Sequence, residues 1–377
     1  MKKINFLFLL LIVSAMLACG GGGGSGTSTP LGASGTSTQP GAIHWQQVNT
    51  PQGATHVNFV DFAANGHWFI ADMALGFYRS TDQGATWTQI NTGLSTTFGW
   101  TINVNPGNGE LIASTFSSGG ANAYPVRFYR SNDEGNSWAA IPYSGLSSAT
   151  ARTGCVFAAN NNLVCGGFWA PFPASGAWFS TDGGQTVTAA TTTSTNSGTV
   201  YALALNPTTT DLWMGTEQNG IFRSTDNGAT WTVESPADTN VDPVHGIRDG
   251  NIYAITFDRG GNVLFGSQGG IWKSTRTGSG FNWTNVKNNS NTADGEALGR
   301  DANGTLYYGH HLDTKDPTVV YCSTDDGNTW VACDSGLPQF KQANRLVVNP
   351  ADGRLYAVVR DEAPSQGVLY RTVNPVQ

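Results

Sequence analysis

The stretch Ser224–Trp231 reads STDNGATW, and it decides the fold because it recurs. STDQGATW stands at Ser80–Trp87, SNDEGNSW at Ser131–Trp138 and STDDGNTW at Ser323–Trp330. STDGGQTV at Ser180–Val187 lacks only the Trp, STRTGSGFNW at Ser274–Trp283 lacks the Asp and carries two more residues, and YRTV at Tyr370–Val373 keeps only the approach. The anchoring residues fall at 80, 131, 180, 224, 274, 323 and 372, spaced by 51, 49, 44, 50, 49 and 49. A steady period of this length marks a repeat architecture. A catalytic group is needed once. A Ser–Asp–Thr group found in nearly every repeat therefore belongs to the repeat's construction.

One repeat, Val200 to Glu234, reads as four short strands. VYALALNP is an apolar strand stopped by Asn-Pro, TTTD turns, LWMGT is a second strand and EQNG turns again. IFRS is a third strand, with Phe222 and Ser224 on one face and Ile221 and Arg223 on the other by the period of two. TDNGA turns into the fourth strand, TWTVE. The pattern repeats at 252–286 and 344–372. Four antiparallel strands per repeat and seven third strands predict an all-β chain, a seven-bladed β-propeller of four-stranded antiparallel blades over 43–377. The last repeat ends after its third strand, while HWQQVNT at 44–50 matches the fourth-strand segment TWTQINT at 86–92. The N-terminal strand His44–Asn49 is thus expected to pair near Tyr370 and close the ring, with Trp45 as that blade's motif Trp, leaving no bare edge at the seam.

Within the motif each residue type has a physical task. The carboxylates of Asp82, Asp133, Asp182, Asp226 and Asp325 can accept N–H groups inside the turn. Gly84, Gly135, Gly184, Gly228 and Gly327 can take a positive φ at low steric cost. Trp87, Trp138, Trp231 and Trp330 can pack as apolar plates on neighbouring sheet. These residues resemble the Asp-box, or BNR, repeat, with its signature Ser-x-Asp-x-Gly-x-Thr-Trp, over about residues 43–377. The resemblance implies a propeller whose boxes lie on one rim in a structural role. It leaves activity open, because sialidases, xyloglucanases, sortilin-type receptors and photosystem II assembly-factor propellers all carry the motif.

Composition fits an all-β chain: 377 residues with 48 Gly and only 12% charged residues. The net charge of -7 argues against nucleic acid and against electrostatic docking on anionic lipid. Residues 1–18 read as a signal peptide, with Lys2 and Lys3 before an apolar run too short to be read first as a spanning helix. MLAC at 16–19 resembles the lipobox of bacterial lipoproteins, which makes Cys19 the lipidated residue and the lipid the only membrane contact. Residues 19–42 then hold the lipidated Cys and a Gly/Ser/Thr-rich tether. Gly20 lacks the Asp that retains some lipoproteins at the inner membrane, so the expected place is the outer membrane of a bacterial envelope. Cys155 and Cys165 flank a hairpin in blade 3, and Cys322 and Cys333 flank the box turn of blade 6. Both pairs are expected as disulfides across antiparallel strands.

The face opposite the boxes is the expected ligand face. Arg152, Trp169, Glu217, His245, Arg248, His311, Arg345 and Arg360 lie at the starts of first strands or in loops between second and third strands, where side chains can converge on the channel axis. Arg can pair with a carboxylate, and a Trp face can stack on a sugar or a cation. Trp169 and Phe172 beside prolines fit a blade cap as well as a ligand clasp. His310, His311 and Asp313 have no third partner at a recognisable metal-ligand spacing, so neither metal nor cofactor is expected. Asp72, Glu217, Asp361 and Glu362 are the carboxylates available for glycoside hydrolysis, which needs two of them about 5–9.5 Å apart. The chain lacks an Arg-Ile-Pro-like segment of the sialidase kind and has one propeller where xyloglucanases of this repeat type have two. The sequence therefore points to a monomeric, tethered module that binds an envelope protein or glycan, with a glycoside hydrolase as the alternative.

Overall fold

The computed structural model describes residues 43–115, 127–142, 154–167, 176–193, 199–217, 219–234, 251–267, 269–277, 280–288, 295–310, 316–360 and 367–376. Residues 1–42, expected to be a signal segment, Cys19 and a tether, lie outside them, as do Arg152, Trp169, Phe172, His245, Arg248, His311, Asp313, Asp361 and Glu362. Among the described residues no helix is long and apolar enough to cross a membrane.

The chain forms a seven-bladed propeller of small four-stranded antiparallel sheets, to one of which, blade 4, Thr191–Thr192 adds a short parallel strand beside Thr230 and Trp231. Blade 4 shows how sequence becomes blade: Val200–Leu205, Leu212–Thr216, Ile221–Ser224 and Thr230–Val233 pair in that order. The first turn is drawn together by the Asn206 carboxamide, which accepts the Thr208 N–H at 3.0 Å, with Thr210 left-handed at φ 61°. Along the inner strands the period of two sends Leu212, Met214 and Phe222 into the core shared with blade 3, and Trp213 and Ile221 into the core shared with blade 5. Both faces of the sheet are thus covered, and every residue of Leu212–Thr216 is buried. The apolar core is accordingly divided into seven clusters, one between each pair of neighbouring blades. Each fully buried ring such as Phe222 contributes about 1.5–3 kcal/mol.

The ring closes as expected. Trp45–Gln47 pairs antiparallel with the last strand, Trp45 facing Thr372 and Gln47 facing Tyr370. Trp45 is buried between blades 6 and 7, and its Nε1–H donates to the Cys333 carbonyl at 2.8 Å.

The box turn is held by its own side chains. The Ser224 hydroxyl donates to Asp226 Oδ1 at 2.8 Å and accepts the Gly228 N–H at 2.9 Å. Asp226 Oδ1 accepts the Thr230 N–H at 2.8 Å, and Oδ2 accepts the Thr230 hydroxyl at 2.6 Å. Asp82, Asp133, Asp182 and Asp325 make the same bonds. Gly228 has φ +93°, and a Cβ there would sit 2.5 Å from Val164 of blade 3. The residue before it is left-handed too: Asn227 at φ 60°, and likewise Gln83, Glu134, Gly183 and Asp326. The motif's spacing anticipates only the glycine. Its Trp side chains do pack at the blade interfaces, but their N–H groups divide. Trp138 donates to Ile90 of blade 1 and Trp87 to Asn49, whereas Trp231 and Trp330 donate back to Gly228 and Gly327 of their own turns.

Cys155 and Cys165 face each other across the blade 3 hairpin and are joined by a disulfide. The expected second disulfide is corrected: Cys322 and Cys333 are free, buried thiols. Cys322 faces Val331, so Cys333, two residues on, is its diagonal rather than its direct neighbour. Diagonal partners stand about 7–8 Å apart, beyond ordinary disulfide reach. Burial pushes the Cys333 thiol well above its usual range, aided by its hydrogen bond with Cys322.

Candidate functional site

The first strands of the blades line a central channel. Box turns join third to fourth strands, so they share one end of the propeller with the turns between first and second strands. The starts of the first strands lie at the opposite end. There a chamber of about 310 Å³ is lined from every blade.

A recurring backbone irregularity shapes this chamber. In six blades the first strand slips register against the second, between Val57 and Phe59, Gly99 and Thr101, Val200 and Ala202, Ile252 and Ala254, Gly295 and Ala297, and Ala343 and Arg345. The skipped residues are Asn58, Trp100, Tyr201, Tyr253, Glu296 and Asn344. A bulge re-aims the side chain it carries. Asn58, Trp100, Tyr201, Tyr253 and Asn344 all line the chamber, and Glu296 holds the same backbone position in blade 6. Tyr201 and Tyr253 stand side by side, ring centres 5.2 Å apart and planes at 31°. Sequence reasoning missed this ring. Its signal was the polar or aromatic residue second in VNFV, GWTI, VYAL and IYAI, where an apolar strand would have another aliphatic.

Of the residues named from sequence, Arg345 and Arg360 reach the chamber. Arg345 is enclosed in the wall with its guanidinium carbon 4.1 Å from the Phe59 ring centre. Burial lowers its pKa, and the nearby Asp61 carboxylate opposes that shift. Asp61 is itself raised by burial, offset by Arg345 and by the N–H groups of Val104 and Phe62. Arg360 spans the seam between blades 7 and 1: NH1 donates to Asn58 Oδ1 at 3.1 Å and NH2 to the Met73 sulfur at 3.4 Å. Glu217 is bound locally, its Oε2 accepting the Thr199 hydroxyl at 2.6 Å. Asp72 is fully buried and takes the N–H groups of His56, Ala74 and Leu75, which makes it a turn cap. His310 is buried edge-on to the rings of Tyr308 and Tyr321. Among the described residues no group of His, Cys, Asp and Glu could hold a metal.

Below the chamber, toward the box end, lies a second space of about 370 Å³. Ile255, Leu298 and Leu346 line both and form the neck between them. Arg300 reaches this lower space, with NH1 donating to the carbonyls of Phe257 and Asp258.

No protein-family model matches the chain, and no curated protein does. Solved structures do. The extracellular domain of BT4673 from B. thetaiotaomicron superposes with TM-score 0.61 at 13% identity, covering 88% of this chain. The chain spans only 40% of that structure. YCF48 from Cyanidioschyzon merolae matches with TM-score 0.61 at 14% identity over 87% of this chain and 98% of its own. The GH74 enzyme of Niastella koreensis matches with TM-score 0.59 at 18% identity over 86% of this chain and 55% of its own. At such identities the likeness shows the β-propeller fold alone.

Proposed function

We propose that the chain is an exported, lipid-anchored propeller that binds a protein or glycan of the cell envelope at the open mouth of its channel. One observation carries this reading: the bulges that turn Trp100, Tyr201, Tyr253, Asn58 and Asn344 into one chamber at the end away from the box turns. Concave sites with aromatic walls and a few placed polar groups are where ligands bind. The N-terminal sequence supports the anchor: a signal segment at 1–18, Cys19 as lipid carrier, and a tether long enough to hold the propeller clear of an outer membrane. The repeated box motif supports kinship with Asp-box propellers, and the domain works as a monomer. Among fold neighbours, a YCF48 structure holds a D1 peptide and the Niastella protein is an enzyme, so the fold alone does not choose between binding and catalysis. Binding is favoured because, of the four carboxylates considered for hydrolysis, the two among the described residues, Asp72 and Glu217, are committed to local bonds.

The test is cross-linking in an envelope extract. Replacing Trp100 and Tyr253 together by Ala should cut capture of the partner at least tenfold, while Arg259→Ala at the box end leaves it unchanged. Capture that survives the double replacement and is lost with Arg259→Ala would move the site to the other end. Labelling with a radioactive fatty acid should fail in Cys19→Ser; label retained there would refute the anchor.

A further inference from the structure

We propose that the chamber holds a small monocarboxylate with a ring-shaped body, bound by the Arg345 guanidinium. The inference rests on the mouth being the ligand site. Its ground is an imbalance in bonding. Among the described residues no hydrogen bond reaches the Arg345 guanidinium, and its Nε is fully buried without a partner. Asp61, the carboxylate that attracts it, spends its oxygens on the N–H groups of Phe62 and Val104. A buried cation lacking hydrogen bonds is costly and is ordinarily paired. Here the guanidinium packs on the Phe59 ring and is attracted by Asp61 without a hydrogen bond, in the wall of the chamber.

The chamber's other walls define the ligand. Among the described residues one wall guanidinium, that of Arg345, lacks a hydrogen bond, with the Asp61 carboxylate nearby, and a single carboxylate suits it better than a doubly charged phosphate. The planar fork of a guanidinium matches the two oxygens of a carboxylate. Tyr201 and Tyr253, on blades 4 and 5, offer a paired aromatic surface across the channel from blade 7. Such a surface takes the face of a sugar ring or an aromatic ring. About 310 Å³ is at the small end of ligand sites and holds one ring with its substituents. The aliphatic neck of Ile255, Leu298 and Leu346 meets the far, less polar side of that ring.

Calorimetric titration of the full chain tests this. The probes are sodium D-glucuronate and sodium benzoate, with D-glucose and benzamide as neutral counterparts and inorganic phosphate as the dianion. At least one carboxylate should bind tenfold or more tighter than its neutral counterpart and than phosphate, and which one is tighter identifies the body as sugar or aromatic. Arg345→Met should weaken that binding at least tenfold. Asp61→Asn, which removes the competing charge, should tighten it at least threefold; this variant decides the matter if Arg345→Met does not fold. Equal affinity for acid and neutral probes, preference for phosphate, or unchanged binding in the variants overturns the proposal. Loss of partner capture in the Trp100/Tyr253 variant without any carboxylate binding refutes only this inference. Carboxylate binding with capture untouched by that variant refutes only the docking of a macromolecule at the mouth.

Discussion

The two ends of the propeller treat charge differently. At the box end charged groups are bonded to one another. Arg259 Nε donates to Asp326 at 2.9 Å, Lys273 Nζ reaches Asp258 at 3.2 Å and the Asp326 carbonyl at 2.7 Å, and Arg223 donates to Asp211 at 2.6 and 2.9 Å. The five box carboxylates are each saturated by a Ser hydroxyl and by the N–H and hydroxyl of the next Thr or Ser. At the open end Arg345 is enclosed and makes no hydrogen bond among the described residues. Charge that holds a fold is satisfied within it. The repeated motif that catches the eye is therefore construction, and the unrepeated Arg is where binding is sought.

That contrast can be broken from the construction side first. Removing the closing strand should have the largest effect, since both ends depend on the ring. Trp45→Ala should cost about 3–5 kcal/mol in chemical denaturation, and deletion of residues 42–50 should abolish the single cooperative transition. A truncated chain that melts like the parent would mean that the ring closes without this strand. Next comes the turn itself. Gly228→Ala forces a Cβ to within 2.5 Å of Val164 at φ +93°, and should cost about 2–4 kcal/mol. Gly280, in the long hairpin Gly270–Thr277 and Gly280–Asn288 that replaces the box in blade 5, has no atom within 4 Å of its missing Cβ. Gly280→Ala should be neutral or stabilise by up to about 1 kcal/mol. Equal losses at the two glycines would show that the box turn imposes no special backbone.

Acid gives a smaller and more gradual effect. The Thr86 hydroxyl and N–H, with Ser80, hold the Asp82 pKa down to about 2, and the Thr186 N–H and hydroxyl do the same for Asp182. Asp133, Asp226 and Asp325 are lowered as well, their hydrogen bonds outweighing partial burial. The folded state thus favours the ionised form relative to the ordinary value of 3.8. The stabilisation is present above that pH and is lost as pH falls from about 4 towards about 2. Melting temperature should decline through this window, and less steeply in a chain with all five residues changed to Asn. An identical decline in that chain would assign acid lability to other carboxylates.

Much of the architecture was legible because it repeats. Seven anchors at even spacing dictate seven blades, and the match of residues 44–50 to 86–92 dictates the seam. The box could be argued from residue types, since its bonds are all within seven residues. What takes the motif's place in blades 5 and 7 was not legible. There the anchor hydroxyl changes partner: Ser274 accepts the Val263 N–H at 2.7 Å and Thr372 accepts that of Leu355 at 3.2 Å, both across the sheet. The Cys322 and Cys333 spacing suited a facing pair, but strand register set them on a diagonal. The site was half legible. Arg345 could be placed at a first-strand start, but the bulges that gather Trp100, Tyr201 and Tyr253 are properties of sheet register. The absence of a hydrogen bond to Arg345 is set by residues distant in the chain, such as Asp61 and Phe59.

The most direct test pairs two readings on one double variant, Arg345→Met with Asp61→Asn: melting temperature, and affinity for the tighter of glucuronate and benzoate. Arg345→Met alone would leave the Asp61 carboxylate uncompensated, whereas replacing both members of such a charge pair by uncharged side chains is often neutral or stabilising. The account predicts a melting temperature that is held or raised, together with binding weakened at least tenfold. A large drop in melting temperature with affinity intact would contradict it, because Arg345 would then be part of the scaffold like the charges at the box end.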